Sequence, residues 1–291
     1  MKVLIALTLA LAPMRAHANG RLTRYARNSS YSTSHPGRCD RNVFERQFYD
    51  LAKGLEPTSD KVTAHSYETM YGTFVYPLKF AAHTPRVLEI GLGCNMDYGP
   101  GASVQIWRQL LPKAELWEAE YDAACVEKAR AKGQLEGIKT VTGDQGDFAV
   151  LRRWSEEIGG ELDVIIDDGG HKNSQIGHSF DVLWPLVRNG GVYVIEDLQV
   201  GRFKSYGGEK INYEDTKGRG VMADKIKDWI EQLVTIPRAF KHSSGPGFKH
   251  KIPDDVSFVY CQLEACVIGK RNRHVEGSRP GLPGHDFPGR R

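Results

Sequence analysis

The chain has 291 residues, 39 Lys and Arg against 36 Asp and Glu, and 40% apolar residues. That length and apolar content support one large core and exclude disorder, a collagen-like repeat and a transmembrane bundle. The longest apolar run, Val3 to Ala12, is half of the ~20 residues a membrane-spanning helix needs, so no stable membrane span is expected.

Residues 1–18 read as a signal peptide. Lys2 gives a positive start, Val3 to Ala12 an apolar middle, and Ala16-His17-Ala18 a small-residue exit. The expected location is therefore the secretory pathway or the extracellular space. Arg15, close to the cleavage point, keeps a cytoplasmic enzyme with an N-terminal helix as the alternative. Residues 19–38 are rich in Asn, Ser, Arg and Gly without apolar periodicity and predict a flexible leader. Within it, Asn28-Ser29-Ser30 is a glycosylation acceptor sequence if the chain is secreted.

Residues 39–84 predict a helical cap. Val43, Phe44, Phe48, Leu51 and Leu55 fall mostly three or four apart, and His65 to Ala82 is aromatic and amphipathic. Tyr67, Tyr71, Phe74 and Tyr76 either close over a site or pack as ordinary core.

Residues 85–269 change to short apolar runs alternating with helical stretches, the pattern of an α/β fold with a mostly parallel sheet. Strands are predicted at Arg86–Ile90, Glu115–Ala119, Lys139–Thr142, Leu162–Asp167 and Gly191–Glu196. The crossover helices are Ala102–Leu111, Ala123–Lys132, Phe148–Ile158 and Asn173–Val187, the last stopped by Asn189-Gly190-Gly191. A Gly-rich, Tyr-containing loop follows Asp197, then a helix over Arg219–Leu233. Val256–Tyr260 and Ala265–Gly269 predict a terminal antiparallel hairpin. Residues 270–291 carry six basic and two acidic residues among repeated Pro and Gly, predicting a disordered basic tail. Between leader and tail, residues 19–269 hold 31 basic and 34 acidic residues, which argues against a nucleic-acid partner.

The five cysteines, Cys39, Cys94, Cys125, Cys261 and Cys266, contain no Cys-x-x-Cys pair and so no structural zinc signature. Cys261 and Cys266 lie near the hairpin turn and either close a disulfide there or stand as buried thiols.

Chemistry concentrates at the carboxyl ends of the strands. Glu89-Ile90-Gly91-Leu92-Gly93 ends the first strand in a glycine turn where bare backbone can approach a nucleotide-type cofactor. The third glycine of a dinucleotide fingerprint is missing, which tilts the balance away from an NAD-linked oxidoreductase. Glu120, at the end of the second strand, is suited to accept two ribose hydroxyls, and Asp144 with Gln145 adds polar groups toward an adenine amine. Asp167-Asp168-Gly169-Gly170-His171 and Glu196-Asp197 bring four carboxylates and a histidine to neighbouring strand ends. Such crowding calls for a divalent cation with oxygen ligands, with pairing to Arg and Lys or capping of the following helices as the structural alternative, and His171 is placed to take a substrate proton.

These three segments, 89–93, 167–171 and Glu196-Asp197-Leu198-Gln199, resemble the magnesium-dependent, S-adenosylmethionine-dependent O-methyltransferases of macrolide sugars, with the cephalosporin-hydroxylase-like proteins similar to them. The resemblance covers about residues 86–269. It implies a Rossmann-like class I methyltransferase sheet, S-adenosylmethionine and Mg2+ or another divalent cation as cofactors, and a small hydroxylated acceptor. By position it implies Asp168, Glu196 and Asp197 as metal ligands, His171 as general base, and Asp167 near the cofactor with Glu89, Gly91, Gly93, Glu120, Asp144 and Gln145. The chain departs from the family pattern in having Gly170 where Ser is usual and Leu198 where Thr is usual. A secreted protein that keeps this fold for binding, without turnover, is the second reading. Self-association is left open.

Overall fold

The computed structural model describes residues 41–208, 220–235 and 248–272. The signal segment, the leader, Cys39 and nearly all of the tail lie outside them. Among the described residues no helix is long and apolar enough to cross a membrane.

A seven-stranded sheet in the order β3-β2-β1-β4-β5-β7-β6 forms the centre. Its strands are β1 (Arg86–Ile90), β2 (Glu115–Glu120), β3 (Lys139–Thr142), β4 (Leu162–Asp167), β5 (Val187–Ile195), β6 (Val256–Cys261) and β7 (Cys266–Lys270). The first five pair in parallel, and β7 joins β5 and β6 antiparallel. The register sets Ile90 beside Asp167 and Asp167 beside Ile195, so the two acid pairs leave adjacent strands at the same level.

The helices are α1 (Arg41–Lys53), α2 (Glu68–Phe74), α3 (Ala102–Leu110), α4 (Ala123–Ala131), α5 (Phe148–Ile158), α6 (Asn173–Leu183) and α7 (Met222–Thr235). Several boundaries shift by one to three residues, and two stretches differ from expectation by more. The amphipathic stretch 65–82 is not one helix: α2 stops at Phe74 and a 3-10 turn over Tyr76–Phe80 follows, with Pro77 at its start. Proline lacks the amide that would continue the α-helical ladder. The Asn189-Gly190-Gly191 stretch, expected to end a helix, lies inside β5, with Gly190 at φ 81°; α6 has already ended in a 3-10 turn over Trp184–Leu186.

Side chains of the two sheet faces fill separate apolar clusters. The helices α1 and α2 supply one of them: Phe48 stacks on Tyr71 at 5.1 Å, and Tyr71 meets Trp107 of α3 edge-on at 5.1 Å. The aromatics of residues 67–76 are thus core, and two of their hydroxyls also reach the site described below.

Cys261 and Cys266 do close across the hairpin. A second disulfide, Cys94–Cys125, was not expected. It ties the turn after β1 to the first turn of α4 across 31 residues of chain. In the chain-entropy account a loop of that length stabilises by about 3–4 kcal/mol. Cys94→Ser/Cys125→Ser should therefore lower the unfolding free energy in denaturant by about that amount, whereas an unchanged midpoint would mean the cross-link does not constrain the unfolded chain.

Candidate active site

The carboxyl ends of β1, β2, β4 and β5 open on one cleft of about 670 Å3. Its walls are the turns that follow these strands, as parallel α/β sheets arrange them.

On one side, Gly91 (φ 107°) and Gly93 (φ 80°) line the cleft. A Cβ on Gly91 would overlap the Asp168 carbonyl oxygen, so that glycine is required by the neighbouring turn of the same chain. A Cβ on Gly93 would meet only the Met96 side chain, at 3.4 Å. Glu120 is fixed by two backbone amides: its Oε2 accepts from Leu92 N at 3.0 Å and its Oε1 from Asp122 N at 2.9 Å. Lone pairs remain for a vicinal diol. Asp144 Oδ1 accepts from Gly146 N at 2.7 Å and Gln175 Nε2 at 3.0 Å, and these bonds hold its carboxyl below the ordinary range. Gln145 also lines the cleft and clamps the next turn, donating to Asp167 Oδ1 at 2.8 Å and accepting from Gly170 N at 2.8 Å.

Two residues expected beside a cofactor stand behind the cleft wall instead. Glu89 is fully buried; its Oε2 accepts from Ser103 Oγ at 2.6 Å and Trp107 Nε1 at 2.8 Å. Side chains alternate along a strand, and Glu89 points into the helix layer of α3. Asp167 is buried against Gln145 and the Tyr193 hydroxyl, 3.0 Å away, and burial pushes its pKa up. Both brace the walls from within.

At the other side, Asp168, His171 and Asp197 each offer one ligand atom, and these atoms lie within 4.8 Å of one another. His171 (φ 53°) and Asp197 (φ 55°) adopt left-handed backbone, uncommon for residues with a side chain. The His171 Nε2 lies 3.5 Å from Asp197 Oδ2. Asp197 Oδ1 accepts from the Tyr67 hydroxyl at 2.8 Å and Gln199 Nε2 at 3.2 Å. Burial opposes its ionisation, but Tyr67, His171, Gln199 and His65 outweigh burial and hold its pKa below the usual value. The two carboxylates are oxygen donors that fit a divalent cation, and the imidazole stands beside them.

Glu196, expected in the same set, is partnered elsewhere. Its carboxylate accepts from Lys61 Nζ at 2.8 and 3.0 Å and from the Tyr71 hydroxyl. The same ammonium lies 2.6 Å from Asp168 Oδ2 and 3.3 Å from Glu89 Oε1, with 1% of the lysine side chain exposed. Burial disfavours a charged lysine, yet Asp168, Glu196, Tyr71 and Glu89 outweigh it and raise the pKa above the ordinary value. Burial and Asp168 in turn push Glu196 up, against the pull of Lys61 and Tyr71. The crowding of acids and its pairing with a basic side chain, as an alternative to a cation, were legible; Lys61 as that partner was not. Lys61 sits in a single 3-10 turn capped by Ser59, where no periodicity marks a residue as inward-facing.

Burial also raises Asp168 to about 6, against the attraction of Lys61. Its carboxylate must be ionised to take a cation, so cation binding is retained above that pH and lost below it. In a His171→Ala variant, which isolates the carboxylate's contribution, Mn2+ affinity should fall about tenfold per pH unit below pH ~6. Constant affinity down to pH ~4.5 would contradict the raised value.

The strand order and this cleft define the class I methyltransferase fold. No protein-family model matches the chain. It is 40% identical over 203 residues to the 8-demethyl-8-(2-methoxy-alpha-L-rhamnosyl)-tetracenomycin-C 3'-O-methyltransferase of Streptomyces olivaceus, covering 68% of this chain and 48% of that protein. It is 36% identical over 208 residues to the mycinamicin VI 2''-O-methyltransferase of Micromonospora griseorubida, covering 69% and 47%. Among solved structures it is similar to the MycE methyltransferase of the mycinamycin biosynthetic pathway in complex with Mg, SAH and mycinamycin VI. That similarity has a TM-score of 0.57 and 25% identity, covering 85% of this chain and 57% of the other. The chain is thus a relative of the sugar O-methyltransferases of macrolide and tetracenomycin pathways, and it spans about half the length of the curated relatives it matches.

Proposed function

We propose that the chain is an S-adenosylmethionine-dependent, divalent-cation-dependent O-methyltransferase acting on a hydroxyl of a small molecule or sugar. The observation that carries this reading is the convergence of Asp168, His171 and Asp197 on the cleft that also holds Glu120 and Asp144. Its relatives named above are O-methyltransferases of sugars carried on larger metabolites, which supports the acceptor class.

In this reading Glu120 receives the ribose hydroxyls of the cofactor, Gly93 gives close backbone access, and Asp144 meets the adenine end. Asp168 and Asp197 would hold the cation. The bound cofactor supplies an electrophilic methyl group and the cation supplies positive charge that acidifies an acceptor hydroxyl. The chain's own contribution is alignment and proton removal. His171 takes the acceptor proton at its imidazole, and Asp197 beside it stabilises the imidazolium that results. Tyr98 and Tyr206 line the same cleft and leave an aromatic wall for a ring-shaped acceptor.

Two disulfides support an oxidising compartment, in keeping with the secretory location expected from residues 1–18. The reading without turnover in that compartment is separated by one assay. Purified chain with cofactor and Mg2+ is incubated with desmethyl glycosides, and products are searched for the mass of one added methylene. Turnover is expected and should stop with a chelator. His171→Ala should lower kcat roughly 10^2 to 10^4-fold with cofactor affinity retained. Cofactor binding without any methyl gain across acceptors would favour the non-catalytic reading, and unchanged turnover in both His171→Ala and Asp168→Ala would overturn the assignment.

A further inference from the structure

We propose that Tyr67 is the positioning residue of Asp197: its hydroxyl grips one carboxylate oxygen and the backbone amide of that residue, and leaves the other oxygen to the cation and to His171. The inference rests on the cation reading above. Tyr67 itself touches no reacting atom and acts through the acid it holds.

The two oxygens of Asp197 are engaged unevenly. Oδ1 accepts from the Tyr67 hydroxyl at 2.8 Å and from Gln199 Nε2 at 3.2 Å, with His65 Nε2 3.5 Å away. Oδ2 instead meets His171 Nε2, at 3.5 Å. The Tyr67 oxygen also accepts from the Asp197 backbone amide at 3.3 Å, so one hydroxyl holds both the side chain and the main chain of the same residue. That double hold matters because Asp197 sits at φ 55°, a conformation a residue with a side chain keeps only where its neighbours over-determine it.

The hydroxyl can serve as a fixed point because the ring that carries it is clamped. Tyr67 immediately precedes α2 and is sealed from solvent. Its ring stacks on His65 at 4.8 Å and meets Tyr71 edge-on at 6.5 Å. His65 is held in turn by Glu264, whose Oε2 lies 2.7 Å from Nδ1. The Glu264 carbonyl then accepts from the amide of Leu198, the residue after Asp197, at 2.7 Å. Asp197, Tyr67, His65, Glu264 and Leu198 thus close a ring of contacts, fastened at the β6–β7 turn by Cys261–Cys266. Burial, Glu196 and Asp197 all push the Tyr67 pKa up, so the hydroxyl keeps the proton it donates.

The test compares Tyr67→Phe, which removes one oxygen and keeps the ring, with Asp197→Asn and with the double variant. Mn2+ affinity of the full chain is read from the paramagnetic signal of free Mn2+, hydrogen exchange reads the Asp197 amide, and thermal unfolding checks the fold. Tyr67→Phe should fold and lose about tenfold or more in Mn2+ affinity, the scale expected for a support behind a metal ligand. Its Asp197 amide should exchange about tenfold faster, because that amide has lost its acceptor. The double variant should bind no worse than Asp197→Asn alone, since the hydroxyl works through that carboxylate. Losses that multiply in the double variant would overturn the proposal, as would an unchanged exchange rate at Asp197 or an unchanged Mn2+ affinity in Tyr67→Phe. If Tyr67→Phe does not fold, Glu264→Ala, which opens the same ring of contacts at its far side, decides by the same two readings: weaker Mn2+ binding with faster Asp197 exchange supports the proposal, and no change overturns it. Wild type that binds no Mn2+ while Tyr67→Phe speeds exchange at Asp197 would overturn the cation reading and sustain the hold of Tyr67 on Asp197.

Discussion

A single ammonium group, nearly sealed from water, decides how the rest of the site can be built. Four acidic side chains sit at or near the ends of the central strands: Glu89, Glu118 and Glu196 are sealed from solvent, and Asp168 is exposed only toward the cleft. Burial pushes Glu118, Asp168 and Glu196 toward their neutral forms, and Lys61 opposes that push on each. Without the lysine, the cheapest response of such a cluster is protonation, and a protonated Asp168 offers a cation little. With it, Asp168 can remain an acceptor facing the cleft.

The same group explains why the N-terminal helices belong to the site. Lys61, His65, Tyr67 and Tyr71 come from one short stretch between α1 and the end of α2, and each reaches an acid on the turn after β4, on the turn after β5 or in the β6–β7 turn. Tyr67 donates to Asp197, Tyr71 to Glu196, and His65 Nδ1 lies 2.7 Å from Glu264. Apolar packing of Phe48, Tyr71 and Trp107 holds these residues against the sheet, and the polar ends of the same side chains set the charge balance of the cleft. Cap and catalytic layer are thus coupled through shared side chains. The Cys94–Cys125 bridge fastens the opposite wall, where the glycine turn and the start of α4 flank Glu120.

Much of this was legible in the sequence because parallel sheets write their function at strand ends. Short apolar runs fixed β1, β3 and β4 to the residue, and polar residues that follow β2, β3, β4 and β5, namely Asp122, Asp144, Asp168 and Asp197, line the cleft. Glu89 and Asp167 misled for a local reason: both belong to strands whose side chains alternate, so a residue just before the turn can point into a layer rather than out of the sheet. Asp167 and Asp168 look alike in sequence and differ by one step of that alternation. Lys61 left no signal because its partners lie 28 to 135 positions away and its turn has no repeat to mark an inward face. The Cys94–Cys125 pair was hidden similarly, since 31 residues separate two cysteines brought together only by the β1–β2 register. The break at Pro77 was readable from proline chemistry and was obscured by the aromatic periodicity around it.

The account stands on Lys61 compensating buried carboxylates, and a paired unfolding experiment addresses that most directly. Lys61→Met should lower the unfolding free energy by about 3–5 kcal/mol, the cost of leaving buried charge without its partner. Adding Glu196→Gln to that variant should return part of the loss, because one orphaned carboxylate is then removed. If the second substitution instead destabilises the double variant further, Glu196 draws its stability from something other than the lysine and the central claim fails.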